Sequence, residues 1–204
     1  MNTVQKSLRP IHRFSDLIEV IPNALTKEFC DKCIEKFNKD ENTYQGVTGD
    51  GVNLNVKRSI DLAITGCEGW EEEDDIFFKS LNKHLNDYTD KWQAWSLGAA
   101  SENNSWRDTG YQMQRTDPGD FYIWHNDFSC GNNDNAPRYI TFIWYLNDIH
   151  EDGYTEFIDG TKIQPEAGKL VMFPATWTYM HRGYPPKSET KYIVTGWVHS
   201  IIIP

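Results

Sequence analysis

His125 and Asp127 stand two residues apart in the run "FYIWHNDFSC", residues 121 to 130. On an extended strand, alternate residues share a face. An imidazole nitrogen and a carboxylate oxygen could therefore converge on one point, which is part of a metal site. A histidine and an aspartate at this spacing also occur in ordinary surface turns, so the tripeptide alone leaves both readings open.

A metal site needs a third ligand. Of the six histidines, His12 is close to the N-terminus, His84 falls in a helical pattern and His150 sits in the acidic turn "DIHEDG". His199 lies near the end of the last strand-like run. His181 follows "KLVMFPATWTYM", a strand and its exit, and is the best placed to complete the set. Two histidines and one carboxylate with open positions opposite make the facial triad of non-haem iron oxygenases. The competing reading is a strand-end histidine with no ligand role.

Lys191 opens "KYIVTGWVH", where Lys191, Ile193, Thr195 and Trp197 share one face of a strand. Ile193 and Trp197 mark that face as inward. An inward lysine is costly unless an anion pairs with it, or unless it reaches water from the strand's first residue. In "RYITFIWYLN", Thr141, Ile143 and Tyr145 lie on one face, with Ile140, Phe142 and Trp144 on the other. Buried threonine and tyrosine hydroxyls need partners. A dicarboxylate between a lysine and a tyrosine would satisfy both strands.

These residues must be held by a scaffold. The chain has 204 residues, enough for one globular core, and the expected layout is a single domain over 1–204. Helical support is expected over about 14–108 and a β-rich core over about 109–200. Residues 14–22 read as a short strand ending at Pro22. Thr26 is placed to cap a helix running to about Asn38, with Phe29, Cys33, Ile34 and Phe37 on one stripe and Leu25 packing back on the first turn. A second helix is expected from about Asp74 to Trp92, its acidic N-terminal end suiting the helix dipole. Residues 96–110 read as a loop able to cover the site. From Tyr111 onward, short β-prone runs alternate with turn signals, as in a sandwich or barrel.

Composition excludes some functions. The net charge of −10 argues against a nucleic-acid partner. No apolar stretch is long enough to span a membrane, and the N-terminus lacks the apolar core of a signal peptide, so a cytoplasmic location is expected. Cys30 and Cys33 form a C-x-x-C inside the first helix, where buried reduced thiols are expected rather than a redox or zinc pair.

The pattern as a whole resembles the prolyl 4-hydroxylase-like branch of the Fe(II)/2-oxoglutarate-dependent dioxygenases. "RTDPGDFYIWHND", "RYITFIWYLND", "EDGYTEF" and "IQPEAGKLVMFPATWTYMHRGYPPKSETKYIVTGWVH" follow that branch in order over about 111 to 199, with a weaker likeness back to about 17. The resemblance implies a double-stranded β-helix (jelly-roll) barrel carried by N-terminal helices. It implies His125, Asp127 and His181 as iron ligands and Lys191 as the partner of the far carboxylate of 2-oxoglutarate. Tyr145 would hydrogen-bond the same carboxylate, while Thr195, Trp197 and Tyr122 would line the pocket. It also implies Fe(II), 2-oxoglutarate and O2 as cofactors, with ascorbate as an optional reductant. The expected reaction is hydroxylation of an unactivated C–H bond with release of succinate and CO2.

Two departures stand out. Thr116 occupies a position where many members have tyrosine, and Tyr154 one where many have glycine or glutamate. The expected substrate is a prolyl residue of a protein or peptide. The alternatives are a free amino acid or other small molecule, a non-catalytic binding module on the same barrel, or a zinc hydrolase using the same ligands. Trp106, Tyr122, Trp124 and Tyr179 are aromatic candidates for stacking on a proline ring, and Arg182 for meeting a substrate carboxylate or peptide carbonyl.

Overall fold

The computed structural model describes residues 10–92, 105–129 and 137–201. Helix α1 spans Lys27–Phe37, and the Thr26 hydroxyl accepts a hydrogen bond from the Phe29 N–H at 3.2 Å, as the capping pattern predicts. Cys30, Cys33 and Phe37 are buried on its inner stripe, and Leu25 is buried just ahead of the cap. Burial pushes the Cys30 thiol up to about 11 and the Cys33 thiol higher still. Both thiols are therefore protonated and unreactive.

Helix α2 spans Glu71–Trp92 and begins three residues earlier than expected. The extra turn carries Glu73, which is buried and paired with Lys32 and Lys36 of α1. The cross-helix ion pairs turn a residue that reads as solvated into part of the α1–α2 contact. Residues 14–22 form two elements, a 3-10 turn at Phe14–Leu17 and strand β1 at Glu19–Ile21. Asp16 makes the turn by accepting the backbone N–H groups of His12 and Arg13, which also hold its carboxyl below the usual range.

The remaining strands are β2 (Tyr44–Gln45), β3 (Ile60–Ala63), β4 (Ser105–Asp108), β5 (Gln112–Thr116), β6 (Tyr122–His125), β7 (Arg138–Tyr145), β8 (Thr155–Phe157), β9 (Lys162–Ile163), β10 (Leu170–Pro174), β11 (His181–Gly183) and β12 (Lys191–Ile201). The larger sheet runs β1-β10-β7-β12-β5-β3-β2, with β4 also paired to β12. The smaller sheet runs β6-β11-β8-β9, and all these pairings are antiparallel. Strand β4 corrects the expectation of a loop over 96–110. Residues 105–108 pair with the end of β12 instead, and residues 96–104, with the covering role read into the segment, fall outside the described residues.

The alternation along β7 sorts its side chains into two cores. Phe142 and Trp144 pack with Phe77 of α2, Tyr111 and Met113 on the helix side of the large sheet. Ile143 and Tyr145 pack with Val171 and Phe173 of β10, and with Phe157 and Ile163 of the small sheet. The small sheet thus lies across one face of the large one, in the two-sheet arrangement of a double-stranded β-helix, and the helices cover the other face. At the crossing of β12 over β7, a side chain at position 196 would meet the Gly110 carbonyl at 2.4 Å. Only glycine permits that approach.

Candidate metal centre and cosubstrate pocket

Strand pairing brings the three expected ligands together. His125 ends β6, His181 opens β11, and the two are register partners, so their rings lie on one face with centroids 4.2 Å apart. Asp127 lies two residues beyond the end of β6. The three ligand atoms lie within 4.8 Å of one another. His125 Nε2 is 3.7 Å from Asp127 Oδ1, and His181 Nε2 is 3.6 Å from Oδ2. These separations exceed a hydrogen bond and suit an ion bridged by metal–ligand bonds of about 2 Å.

The orientation of each ligand is set by its neighbours. The Nδ1 of His125 lies 2.8 Å from the Ile123 carbonyl, and that of His181 lies 3.0 Å from the Tyr179 carbonyl. Each Nδ1–H is thereby committed to the backbone, and each Nε2 lone pair faces the cluster. The Thr141 hydroxyl donates to Asp127 Oδ2 at 2.8 Å. Burial, reinforced by His181, lowers His125 to about 4. Burial alone would raise Asp127, but His181, His125 and the Thr141 hydroxyl outweigh it and hold the carboxyl low. Neutral imidazoles beside a carboxylate are the protonation states a divalent metal requires. By donor set, tautomer and spacing, these residues fit Fe(II).

Tyr122 stacks on His125 with centroids 3.6 Å apart and planes 13° from parallel. Burial and the charge of Asp127 push its hydroxyl up to about 12. The cluster opens into a cavity of about 760 Å³, which Tyr122, Thr195, Trp197 and Lys191 also line. The Thr195 hydroxyl donates to the Phe142 carbonyl. The Trp197 indole N–H is buried without a regular hydrogen-bond partner among the described residues, and adds to the lowering of Asp127.

Lys191 is 4% exposed, and its ammonium donates to the Gly153 carbonyl at 3.0 Å. Gly153 has φ 64°, and a side chain there would press on Ile149 at 2.8 Å, so glycine is what presents this carbonyl to the lysine. Burial lowers Lys191 to about 8. No carboxylate of the described residues offsets that burial. Thr116 faces Lys191 across β5 and β12 and is buried at the same end of the cavity.

Tyr145 is placed differently from the expectation. It is fully buried, does not line the cavity, and donates its hydroxyl hydrogen to Thr155 Oγ1 at 2.7 Å. Thr155 does line the cavity. The other aromatic candidates also lie elsewhere. Tyr179 stacks on Phe14 in the inter-sheet core, and Trp106 meets Tyr139 edge-on. Trp124 carries the Arg182 guanidinium 4.8 Å above its ring. Arg182 is held by Glu156 at 2.7 Å, and Tyr154 stacks on Tyr184 away from the cavity.

The cavity wall also holds residues that sequence reasoning missed. Lys57, Ser59 and Asp61 form a buried cluster, with Lys57 Nζ 2.6 Å and Ser59 Oγ 2.7 Å from the two carboxylate oxygens. The signal was present in "VKRSID", where three polar side chains alternate along an extended run. Lys57 sits over the Tyr122 ring at 5.7 Å and forms a backbone bridge with that residue. Arg138 lies 3.5 Å above the Trp197 ring.

A buried two-histidine, one-aspartate cluster on this scaffold defines a 2-oxoglutarate-dependent Fe(II) dioxygenase, with Fe(II), 2-oxoglutarate and O2 as the cofactors that class uses. Residues 111–199 match the model of the 2OG-Fe(II) oxygenase superfamily. No curated protein sequence matches the chain. Among solved structures, the chain is similar to the viral collagen prolyl hydroxylase of Paramecium Bursaria Chlorella virus-1 in complex with 2OG, at TM-score 0.66 and 20% identity, covering 92% of this chain and 97% of that one. It is also similar to a Trichoplax adhaerens prolyl hydroxylase in complex with a hypoxia inducible factor oxygen degradation domain peptide fragment (TM-score 0.68, 18% identity, 91% and 84% covered). A Pseudomonas putida prolyl-4-hydroxylase matches at TM-score 0.59 and 16% identity, covering 90% and 92%. At these identities the likeness establishes the shared fold. No helix among the described residues is long and apolar enough to cross a membrane.

Proposed function

We propose that this protein hydroxylates a prolyl residue of a protein or peptide, consuming 2-oxoglutarate and O2 and releasing succinate and CO2. The observation that carries the reading is the buried Lys191 ammonium, which no side-chain anion of the described residues neutralises, on a cavity whose wall also holds the His125, Asp127 and His181 cluster. His125, Asp127 and His181 would hold the iron, at the wall of the cavity that all three line. Lys191 pairs with the far carboxylate of 2-oxoglutarate as a point charge. Thr155, whose own oxygen accepts from Tyr145, has its hydroxyl hydrogen free for the same carboxylate.

When bound, iron and 2-oxoglutarate supply the oxidation that replaces a C–H hydrogen by hydroxyl. The chain contributes position and charge. The committed Nδ1 atoms fix both imidazoles, Thr141 fixes the carboxylate, and Tyr122 and Trp197 shape the side of the cavity nearest the metal. Peptide and prolyl specificity draw support from the similar structures, one of which holds a peptide.

The test is an anaerobic absorbance titration of the metal-free protein with Fe(II) and then 2-oxoglutarate, beside folded His181→Ala. A visible charge-transfer band in the unaltered protein alone is expected, followed by addition of one oxygen atom to a proline-containing peptide by mass spectrometry. Activity with Zn(II) and no oxygen requirement would refute the reading.

A further inference from the structure

Arg182 and Trp124 are each the chain neighbour of a histidine ligand, Arg182 of His181 and Trp124 of His125. Neither lines the cavity. They meet on the solvent side of the small sheet, both partly exposed. The Arg182 guanidinium lies 4.8 Å over the Trp124 ring and 5.0 Å over the Tyr184 ring. Its Nε and Nη2 both reach Glu156 Oε2, at 2.7 and 2.5 Å. Glu156 is the register partner of Arg182 on β8, so one side chain ties β6, β11 and β8 together.

The contact falls at a break in the strand pairing. His181 pairs with His125 and Gly183 with Tyr122, so two steps along β11 span three along β6. Ile123 and Trp124 together oppose Arg182, which is a β-bulge. Side chains three residues apart on a regular strand point to opposite faces. Here the extra residue brings Tyr122 to the His125 side, and the two rings stack with centroids 3.6 Å apart. The bulge is therefore what sets Tyr122 against a metal ligand, and Arg182 lies on one of the two bulged residues.

We propose that Arg182 is a positioning residue of the metal centre. Stacked on Trp124 and anchored to Glu156, it fixes the bulge in β6, and the bulge sets Tyr122 against His125 and turns His125 toward His181 and Asp127. This rests on the metal-centre reading, but its first step can be measured with no metal present. An exposed ion pair by itself contributes little. The planar guanidinium adds a stack that an ammonium does not reproduce. Without that stack the extra residue is free to shift along β6, and each side chain it passes turns to the other face.

The experiment uses the full chain and two readouts. Proton–carbon NMR of the metal-free protein reads the His125 ring signals, assigned with His125→Gln, which a ring stacked at 3.6 Å displaces upfield. Absorbance titration with Co(II), a coloured stand-in for Fe(II), reads metal affinity and ligand geometry. Arg182→Leu and Trp124→Ala should each lose the upfield displacement and weaken Co(II) about tenfold. The double variant should bind no more weakly than either, because the two residues act as one contact. Arg182→Lys keeps a charge for Glu156 and should still weaken Co(II) about fivefold, whereas Trp124→Phe should recover most of what Trp124→Ala loses. An unchanged His125 signal or an unchanged Co(II) affinity in folded Arg182→Leu, or full affinity in Arg182→Lys, would overturn the proposal. If Arg182→Leu does not fold, the lysine and phenylalanine variants carry the same decision. Loss of the displacement in Arg182→Leu, in a protein that takes up no Co(II) even unaltered, would uphold the hold on the bulge and remove the metal reading instead.

Discussion

Two lysines are buried in the wall of the same cavity, and they are treated in opposite ways. Lys57 is 3% exposed and meets Asp61 at 2.6 Å, with Ser59 bonded to the other carboxylate oxygen. Lys191 is 4% exposed and has one backbone carbonyl. A buried cation whose counter-ion belongs to the fold is part of the structure. A buried cation left without one is costly in isolation, and that cost is recovered only when an anion enters. The pairing of Lys57 marks the cluster that holds segment 56–58 against β6. The isolation of Lys191 among the described residues is what supports the proposed place of a ligand carboxylate.

Removing the isolated charge should have the largest effect. Lys191→Met should weaken 2-oxoglutarate by at least about a hundredfold and leave Fe(II) affinity nearly unchanged, as read by isothermal titration with each ligand. It should also stabilise the ligand-free protein, since a buried ammonium is replaced by an apolar chain of similar length. Comparable loss for iron and cosubstrate would erase the contrast with Lys57.

The same contrast has a pH signature. Lys191 titrates near 8 in the folded protein, below its ordinary value of 10.5. The unfolded chain therefore binds more protons through this group between those values, and stability of the ligand-free protein should rise as pH increases from about 8 to 10.5. The full gain corresponds to about 3 kcal/mol on the linkage scale. Affinity for 2-oxoglutarate should move the other way and fall above about pH 8, as the ammonium that pairs with the carboxylate is lost. Lys191→Met should abolish both slopes in denaturation and binding measured across that range.

Breaking the paired lysine should harm folding more than binding. Lys57→Met leaves Asp61 as a buried carboxylate with only Ser59 as its partner, at a cost of about 3–5 kcal/mol by urea denaturation. The double variant Lys57→Met with Asp61→Leu should cost less than either single change, because no lone charge remains. A double variant as unstable as the sum of its parts would show that the pair is not acting as a unit.

How much of this was legible in the sequence follows from the range of the interactions. His125 and Asp127 share a face by local geometry, and their partnership with His181 needed only that β6 and β11 pair. The inward face of Lys191 followed from its neighbours Ile193 and Trp197, and Thr26 announced its helix by a hydrogen bond within one turn. Glu73 could not be read as buried, since its ionic partners sit on another helix. Arg138 and Trp197 come together through the pairing of β7 with β12, and a single strand's alternation does not announce that contact. For Tyr145 the alternation gives the face but not the neighbour its hydroxyl meets, which is Thr155. The β7 pattern points its side chain toward the small sheet, but which residue of β8 stands between it and the cavity depends on how the two sheets overlap.

That overlap gives the smallest and most discriminating effect. The Tyr145 hydroxyl ends on Thr155 Oγ1 at 2.7 Å, and only Thr155 faces the cavity. Thr155→Val should remove the donor and raise the KM for 2-oxoglutarate about fivefold to tenfold, while also leaving the buried Tyr145 hydroxyl unpaired. Tyr145→Phe frees the Thr155 oxygen without removing its hydrogen, so its KM should change by about twofold or less. Its cost should appear mainly as about 1 kcal/mol of stability. If Tyr145→Phe raised the KM as much as Thr155→Val, the tyrosine would have to reach the cosubstrate itself, and the two hydroxyls would act in parallel rather than in series.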